Sequence, residues 1–397
     1  MDTPMPRTGQ ESAIPMPRDG QPPRGIRPLT CVSLFAGAGG MALGFEQAGL
    51  AHLLLNECDR HAVATLRANR PAWNVEHRDI HDVSFLPLRG TVDVLEGGFP
   101  CQAFSSSGNR KGFADPRGTL FFEFARAVRE IRPRLAVAEN VKGLRSHDGG
   151  RTLRTMVASL EEAGYQVAWR VLDASRFGVP QRRERLVVVA LHRSIGEQIV
   201  FPTELDGPPP TVRQAIGDGP AGPGQRYSAS REAIMSQVPE GGNWRDLPAE
   251  ALAACLPNGP YQGGSCSGVA RRLAWDEPSP TLLCSPVAKL TERCHPRETR
   301  PLNVREYARI QTFPDAWQFA GPMTAQYRQI GNAVPVKLAY HLGQAAVAML
   351  AADGVHDSRG TEVLARRVRP ARQGRRVRKR VRACRLNPDT AGGDTSR

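Results

Sequence analysis

Cys101 stands in the stretch GGFPCQAFSSSGNRKGF, residues 97 to 113, directly after Gly97, Gly98, Phe99 and Pro100. Glycine and proline impose an unusual backbone path, and the following Ser105, Ser106, Ser107 and Gly108 offer short polar groups to a ligand. Such a setting presents a thiol instead of packing it. Two further groups belong with it. Glu139, in Glu139-Asn140-Val141, ends the very apolar run LAVA, where packing gives little reason for a carboxylate. An acid beside a thiol is the chemical reading. In FGVPQRRERLVVVA, Arg183 and Arg185 alternate on entering a strand, so both are aimed toward one face. Surface arginines are usually only solvated, yet with Gln181 at the mouth of a site this pair could grip a phosphate or a base carbonyl.

A third constellation lies nearer the start of the chain. FAGAGGMA contains G-x-G-x-x-A at Gly37, Gly39 and Ala42, and Glu57 follows twenty residues after Gly37. Between a strand and a helix this is a nucleotide-type turn, in which glycines admit close backbone approach and the helix N-terminus attracts an anionic group. The same glycines could serve tight packing alone. Glu57 is placed to accept bonds from two ribose hydroxyls, or merely to end a strand in solvent. Asp79 is placed to meet an adenine amino group, and a helix cap reads equally well there.

The elements that must position these groups follow from apolar periodicity. Residues 29–35 read as a buried strand and MALGFEQAGL as a helix; a second strand is AHLLLNE. A helix near 60–69, a short element before Asp79, a strand at 92–97, a helix at 119–131, a strand at 135–140, a helix at 151–163 and a strand at 185–191 continue the pattern. This alternation predicts a mostly parallel sheet covered on both faces, an α/β domain whose strand ends bring the glycine turn, the cysteine loop and Glu139 to one edge. After about residue 193 proline and glycine become frequent and the alternation is lost, which predicts a second, smaller, loop-rich domain or a large insertion. Val304, Tyr307 and Ile310 mark a short helix, and a final apolar helix spans about 336–352.

Composition limits the function class. The chain has 397 residues, 40% hydrophobic and 23% charged, as soluble globular proteins do. Its apolar runs, such as Leu186 to Leu191, fall far short of the roughly 18 residues of a membrane span. Residues 1–27 lack a secretory signal and read as a disordered tail, so a cytoplasmic, nucleoid-associated location is expected. The eight cysteines form no CxxC pair and no zinc spacing, and no metal is expected. Between Arg366 and Arg385 stand ten Arg and one Lys without an acid, which leaves only +3 of the net +14 for the rest of the chain. That block is either a solvated tail or a sequence-independent hold on phosphates.

Together these motifs resemble the DNA (cytosine-5)-methyltransferase family of bacterial type. The resemblance covers residues 29 to 193 and about 300 to 340, through FAGAGG, NE, DI, GGFPCQAFS, ENV, QRRER, RPLNVREYARIQTFPD and GNAVPV in the family's order. It implies a Rossmann-like S-adenosylmethionine-dependent sheet at 28–193, a target-recognition domain at 194–299, a hinge segment and return helix at 300–352 and a basic disordered tail at 353–397. It places S-adenosylmethionine, later S-adenosylhomocysteine, among Phe35, Gly37, Gly39, Gly40, Glu57, Cys58, Asp79, Ile80, Phe99, Pro100, Leu120, Asn332 and Ala333. Many members carry a tryptophan where this chain has Cys58. Cys101 becomes the nucleophile and Glu139 the acid at the pyrimidine ring, with Arg185 at the base carbonyl and Arg183 beside it. Gln102, Ser105, Ser107, Arg110, Lys111, Gln181, Arg271 and Arg272 become candidates for contact with double-stranded DNA, solvated surface being an equal reading for Arg271, Arg272 and Lys289.

The implied activity is methyl transfer to C5 of a flipped-out cytosine in a specific duplex sequence by a monomer, either with a cognate restriction endonuclease as a separately acting partner or acting alone. An RNA cytosine methyltransferase and a non-catalytic DNA-binding protein on the same fold are the alternatives.

Overall fold

Thr30–Leu34 is β1, apolar and β-branched enough to be buried on both faces, as a central parallel strand requires. The computed structural model describes residues 28–100, 120–196, 198–257, 259 and 268–353. Parallel strands β2 (Ala51–Glu57), β3 (Val75–His77), β4 (Val94–Gly97) and β5 (Leu135–Val141) follow, connected by α1 (Gly40–Gln47), α2 (Arg60–Asn69) and, before β5, α3 (Leu120–Ile131). Then come α4 (Arg151–Glu162), β6 (Tyr165–Asp173), the two-residue β7 (Gln181–Arg182) and β8 (Glu184–His192). The sheet order is β3-β2-β1-β4-β5-β8-β6. The chain therefore leaves β1 in one direction, returns to the other side of it at β4, and creates at their C-terminal ends the crevice where ligands of open α/β sheets bind.

The mixed α/β fold agrees with the sequence reading, with one addition. β8 runs antiparallel to both β5 and β6, and periodicity alone does not reveal β6. Its residues alternate only weakly in burial because β6 is the edge strand.

Each face of the sheet is covered by helices. On one, Phe121, Phe124, Val128 and Ile131 of α3 and Leu153, Met156 and Leu160 of α4 pack on Val32, Leu34, Leu95 and Ala136. On the other, Met41 and Phe45 of α1 meet Leu338, Leu342 and Ala346 of the last helix, over Cys31, Val94, Val137 and Val189. Gly44 makes that contact possible, since a Cβ there would lie 2.5 Å from the Cβ of Ala339 and 2.6 Å from the Val336 carbonyl.

Beyond β8 come α5 (Val212–Ile216), α6 (Ala229–Met235), α7 (Ala249–Cys255) and β9 (Ser279–Pro280), which pairs with β7, then α8 (Val304–Ile310), α9 (Met323–Asn332) and α10 (Val336–Asp353). Met235, Val238, Trp244, Leu247, Ala251, Cys255, Val269 and Cys294 make a small core of their own. No helix among the described residues is long and apolar enough to cross a membrane.

Candidate active site

The turn after β1 is built on positive φ at three places, Phe35 (55°), Gly37 (54°) and Gly39 (82°). Glycine costs nothing there, whereas Phe35 is held in a conformation that L residues seldom adopt. The structure separates the duties of the glycines. A side chain at Gly37 would meet only the Phe35 carbonyl at 3.9 Å, so this position faces open space. At Gly39 it would strike Leu66 at 2.8 Å, and at Gly40 the Val334 carbonyl at 2.3 Å, so those two are bare because neighbouring segments pack against them.

Glu57, at the end of β2, closes the turn. Its Oε2 accepts from the Gly37 N–H at 2.7 Å, and its Oε1 accepts from the N–H groups of Cys58 and Asp59 at 2.9 and 2.8 Å. Burial, with the neighbouring Glu57 and Asp79 carboxylates, pushes the Cys58 thiol up to about 11, so it stays neutral at physiological pH. Asp79 is exposed and caps the short turn Ile80–Asp82 through the His81 N–H, and its hydrogen bonds to His81 hold its carboxyl below the usual range despite some desolvation. Ile80 is buried. An open glycine, a strained aromatic and a carboxylate on one strand edge fit S-adenosylmethionine, whose ribose and adenine need an acid and an apolar face.

After β4, Phe99 is buried edge-on to Phe121, and half-buried Pro100 leads into Cys101. Cys101, Gln102, Ser105, Ser107, Arg110 and Lys111 lie outside the described residues. Leu120, half-buried, starts α3. Sequence reasoning misses Asn140, whose buried amide donates to the Phe99 carbonyl at 3.1 Å and so ties the end of β5 to the segment entering the cysteine loop. The signal available was an amide following Glu139 in so apolar a strand.

Glu139 and Arg185 meet across β5 and β8. Glu139 opposes Val187 and Arg185 opposes Val141, so the two side chains share a face, with Glu139 Oε1 2.8 Å from Arg185 Nε. Glu139 also reaches the cysteine side, because a Cβ on Gly98 would sit 3.0 Å from its Oε2. Burial raises the Glu139 carboxyl above the usual carboxylate range, although Arg185 and Arg183 both pull it down. Such a group holds a proton more readily than an exposed glutamate and can donate it to a ring nitrogen. Beside the pair opens a cleft of about 370 Å³, edged by Lys142, Arg182, Glu184, Arg185 and Thr281.

Three expectations change. Arg183 does not share the Arg185 site face; its guanidinium is buried and donates to the carbonyls of Leu282, Gly331 and Ala333 at 2.9, 2.9 and 3.0 Å. It falls between β7 and β8, where simple alternation no longer sets direction. Gln181 is likewise enclosed, bonded to Gln311 and the Leu282 N–H, instead of standing at a mouth. Arg272 spends its donors on Val238, His295, Glu298, Met235 and Thr299 inside the loop-rich region, which leaves it nothing for DNA. Arg271 is half-buried and has no such clamp among the described residues. Asn332 is exposed at the end of α9, where its Oδ1 accepts from the Cys284 thiol at 3.1 Å, and Ala333 is buried beside it.

The chain as a whole is similar to known proteins. The C-5 cytosine-specific DNA methylase family matches residues 29–348. The Type II methyltransferase M.Eco47II of Escherichia coli is 54% identical over 81% of this chain and 79% of its own length. M.PspPI of Psychrobacter sp. (strain TA137), another Type II methyltransferase, is 51% identical over 82% and 80%. Among solved structures, the Entamoeba histolytica methyltransferase EhMeth superposes with a TM-score of 0.56 at 15% identity, covering 82% of this chain and 99% of that one, a likeness of fold. With its glycine turn, buried acid–arginine pair and family match over most of its length, the chain belongs to the C-5 cytosine-specific DNA methylases and is a DNA cytosine methyltransferase.

Proposed function

We propose that the chain methylates one cytosine within a short duplex sequence, and that it does so by transient covalent attachment of Cys101. Cytosine C5 is too poor a nucleophile to attack a methyl sulfonium. A thiolate adding to C6 moves the C5–C6 electron pair toward N3, which takes a proton from Glu139, and leaves C5 enamine-like. Arg185 holds the base carbonyl and keeps Glu139 in place. When bound, S-adenosylmethionine supplies the methyl group that C5 takes, leaving S-adenosylhomocysteine. N3 returns its proton to Glu139, and transfer of the C5 proton to a water molecule then re-forms the C5–C6 double bond and expels the cysteine as thiolate.

Attack perpendicular to the ring requires the base out of the stack, at a cost of about a few kcal/mol that pocket contacts return. The Glu139–Arg185 pair, facing Gly98, supports this reading. In it, residues 194–299 form the target-recognition domain, residues 300–352 return to the sheet, and Ser105, Ser107, Arg110 and Lys111 contact the DNA. The protein acts as a cytoplasmic monomer, and a restriction endonuclease of the same sequence acts separately.

The observation that carries the proposal is the buried Glu139 carboxyl, paired with Arg185 and facing Gly98 three residues before Cys101. Bisulfite sequencing of plasmid from a host without cytosine methylation tests it. Protected cytosines in one sequence context with the native chain, and none with Cys101→Ser, are expected. Full conversion with soluble native protein overturns it and favours an RNA substrate or a silent binder.

A further inference from the structure

Gln181 and Gln311 meet in the interior, both fully buried, although 130 residues separate them along the chain. Gln181 Nε2 donates to Gln311 Oε1 at 2.8 Å, and both amides also bind backbone. Gln181 Oε1 accepts from the Leu282 N–H at 2.9 Å. Gln311 Nε2 donates to the carbonyls of Ile330 and Ala333 at 2.7 and 3.1 Å. Arg183 runs alongside, from the Leu282 carbonyl to those of Gly331 and Ala333. The amide pair thus joins two segments, residues 282–284 of the loop-rich region and residues 330–334 at the end of α9.

Each segment leads to a different part of the site. Beyond Ala333, the Val334 carbonyl presses on the glycine turn so closely that a Cβ on Gly40 would lie 2.3 Å from it. Before Leu282, β9 pairs with β7, and Thr281 edges the cleft beside Arg185 while its hydroxyl donates to the Arg182 carbonyl at 2.8 Å. The two segments also touch directly. A Cβ on Gly331 would lie 2.2 Å from the Leu283 carbonyl, and the Cys284 thiol donates to Asn332 Oδ1 at 3.1 Å.

An apolar pair could fill the same space, but it would not fix direction. Each amide donor and acceptor has a single partner position here, so the pair sets the register of residues 282–284 on residues 330–334. Neither segment can shift alone without leaving a buried polar group unpaired, which is costly.

We propose that Gln181 and Gln311 are positioning residues that couple the cofactor to the duplex. A cofactor held on the glycine turn fixes residues 330–334, the amide pair carries that constraint to residues 282–284, and the duplex meets a loop-rich region already set against Arg185. This rests on the base site proposed above. Linkage makes the coupling reciprocal, so the duplex tightens the cofactor by the same factor. Gln181 then serves the DNA without touching it.

The test uses a fluorescent duplex fragment of the bisulfite plasmid. Anisotropy gives its affinity with and without S-adenosylhomocysteine, and calorimetry gives the affinity for S-adenosylhomocysteine with and without the fragment. In the native chain each ligand should tighten the other by one factor, about 5- to 150-fold. In Gln181→Met and in Gln311→Met that factor should fall close to one, while Gln181→Met binds S-adenosylhomocysteine alone as the native chain does. Lost hydrogen bonds lower the melting temperature of both variants, so titrations run well below it. The two substitutions break the joint from opposite ends, and one that folds suffices. A lower melting temperature with the native coupling factor reduces the pair to a structural role and overturns the proposal, as does a native factor of one. A native chain that shows the coupling yet methylates nothing overturns the proposed function instead, so the two failures are distinct.

Discussion

The Glu139 carboxyl and the Arg185 guanidinium lie 2.8 Å apart, each side chain only 10% exposed, at the point where β5 and β8 run past one another in opposite directions. Each group offsets the cost of burying the other. Removal of one leaves a buried charge without its counterpart.

That coupling has a pH consequence. Burial raises Glu139 and Arg185 opposes the rise, so in the proposed mechanism the acid form that donates to the ring is lost as pH climbs through the Glu139 value. Arg185→Gln removes the opposing charge and should move the alkaline limb of the kcat/KM profile to higher pH, while the rate at the optimum drops about 100-fold or more. Glu139→Gln should abolish that limb and cost about 10² to 10⁴ in rate. A profile unmoved in Arg185→Gln would disconnect the pair from proton donation.

Arg183, two residues away, should behave differently. Its guanidinium satisfies three buried carbonyls, from Leu282, Gly331 and Ala333. Arg183→Met leaves the Leu282 and Gly331 carbonyls without this donor, Ala333 keeping the Gln311 amide at 3.1 Å, and should destabilise the fold by about 2 kcal/mol or more, seen as a lower melting temperature. Arg185→Gln should melt closer to the native protein, because Glu139, already raised by burial, takes up a proton once the guanidinium is gone. Equal melting temperatures for Arg183→Met and native protein would show that the clamp contributes nothing.

Glu96 offers a test of stability against pH. It lies on central strand β4, 1% exposed, and burial pushes its carboxyl up to about 8 from an ordinary value near 4.5. His52, 4.0 Å away, is itself driven by burial down to about 4 and stays neutral at pH 7, so it cannot offset a Glu96 charge. Between pH 4.5 and 8 the unfolded chain releases this proton and the folded chain keeps it, so the group's contribution to stability declines as pH rises. Glu96→Gln should therefore be nearly neutral at pH 4.5 and stabilising at pH 7 by on the order of 2–3 kcal/mol. Thermal melts at both values check this; the same difference at each pH would contradict it.

The basic segment Arg366 to Arg385 supplies eleven positive charges. Deleting residues 366–397 should weaken binding to every DNA alike and flatten the dependence of log affinity on log salt by about 0.9 for each phosphate that the segment neutralises in the full chain. Anisotropy titrations across salt concentrations measure it. A changed target sequence would instead mean that the tail reads bases.

Much of the catalytic framework is legible in the residue pattern. β2, at Ala51–Glu57, and α8, at Val304–Ile310, fall where the apolar pattern puts them, because β2 is an apolar run that ends at an acid and α8 has apolar residues at spacings of three behind the Asn303 cap. Glycine and acid spacing locates the turn, since its geometry is local and φ above zero favours glycine. β6 escapes notice because an edge strand needs no apolar alternation on its open side.

The chain's residue types thus pointed to the proposed chemistry: a cysteine after Gly-Gly-Phe-Pro, a carboxylate ending an apolar strand and arginines entering the next. Tertiary structure decided which arginine does what. Arg183, Arg185, Arg271 and Arg272 are alike in sequence, yet two are consumed by buried carbonyls, one pairs with Glu139 and one keeps a buried Nε with no acceptor among the described residues. A guanidinium's role depends on the acceptors around it, and for Arg183 those acceptors come from Leu282 and Gly331, 99 and 148 residues further along the chain. Only the folded chain brings them together.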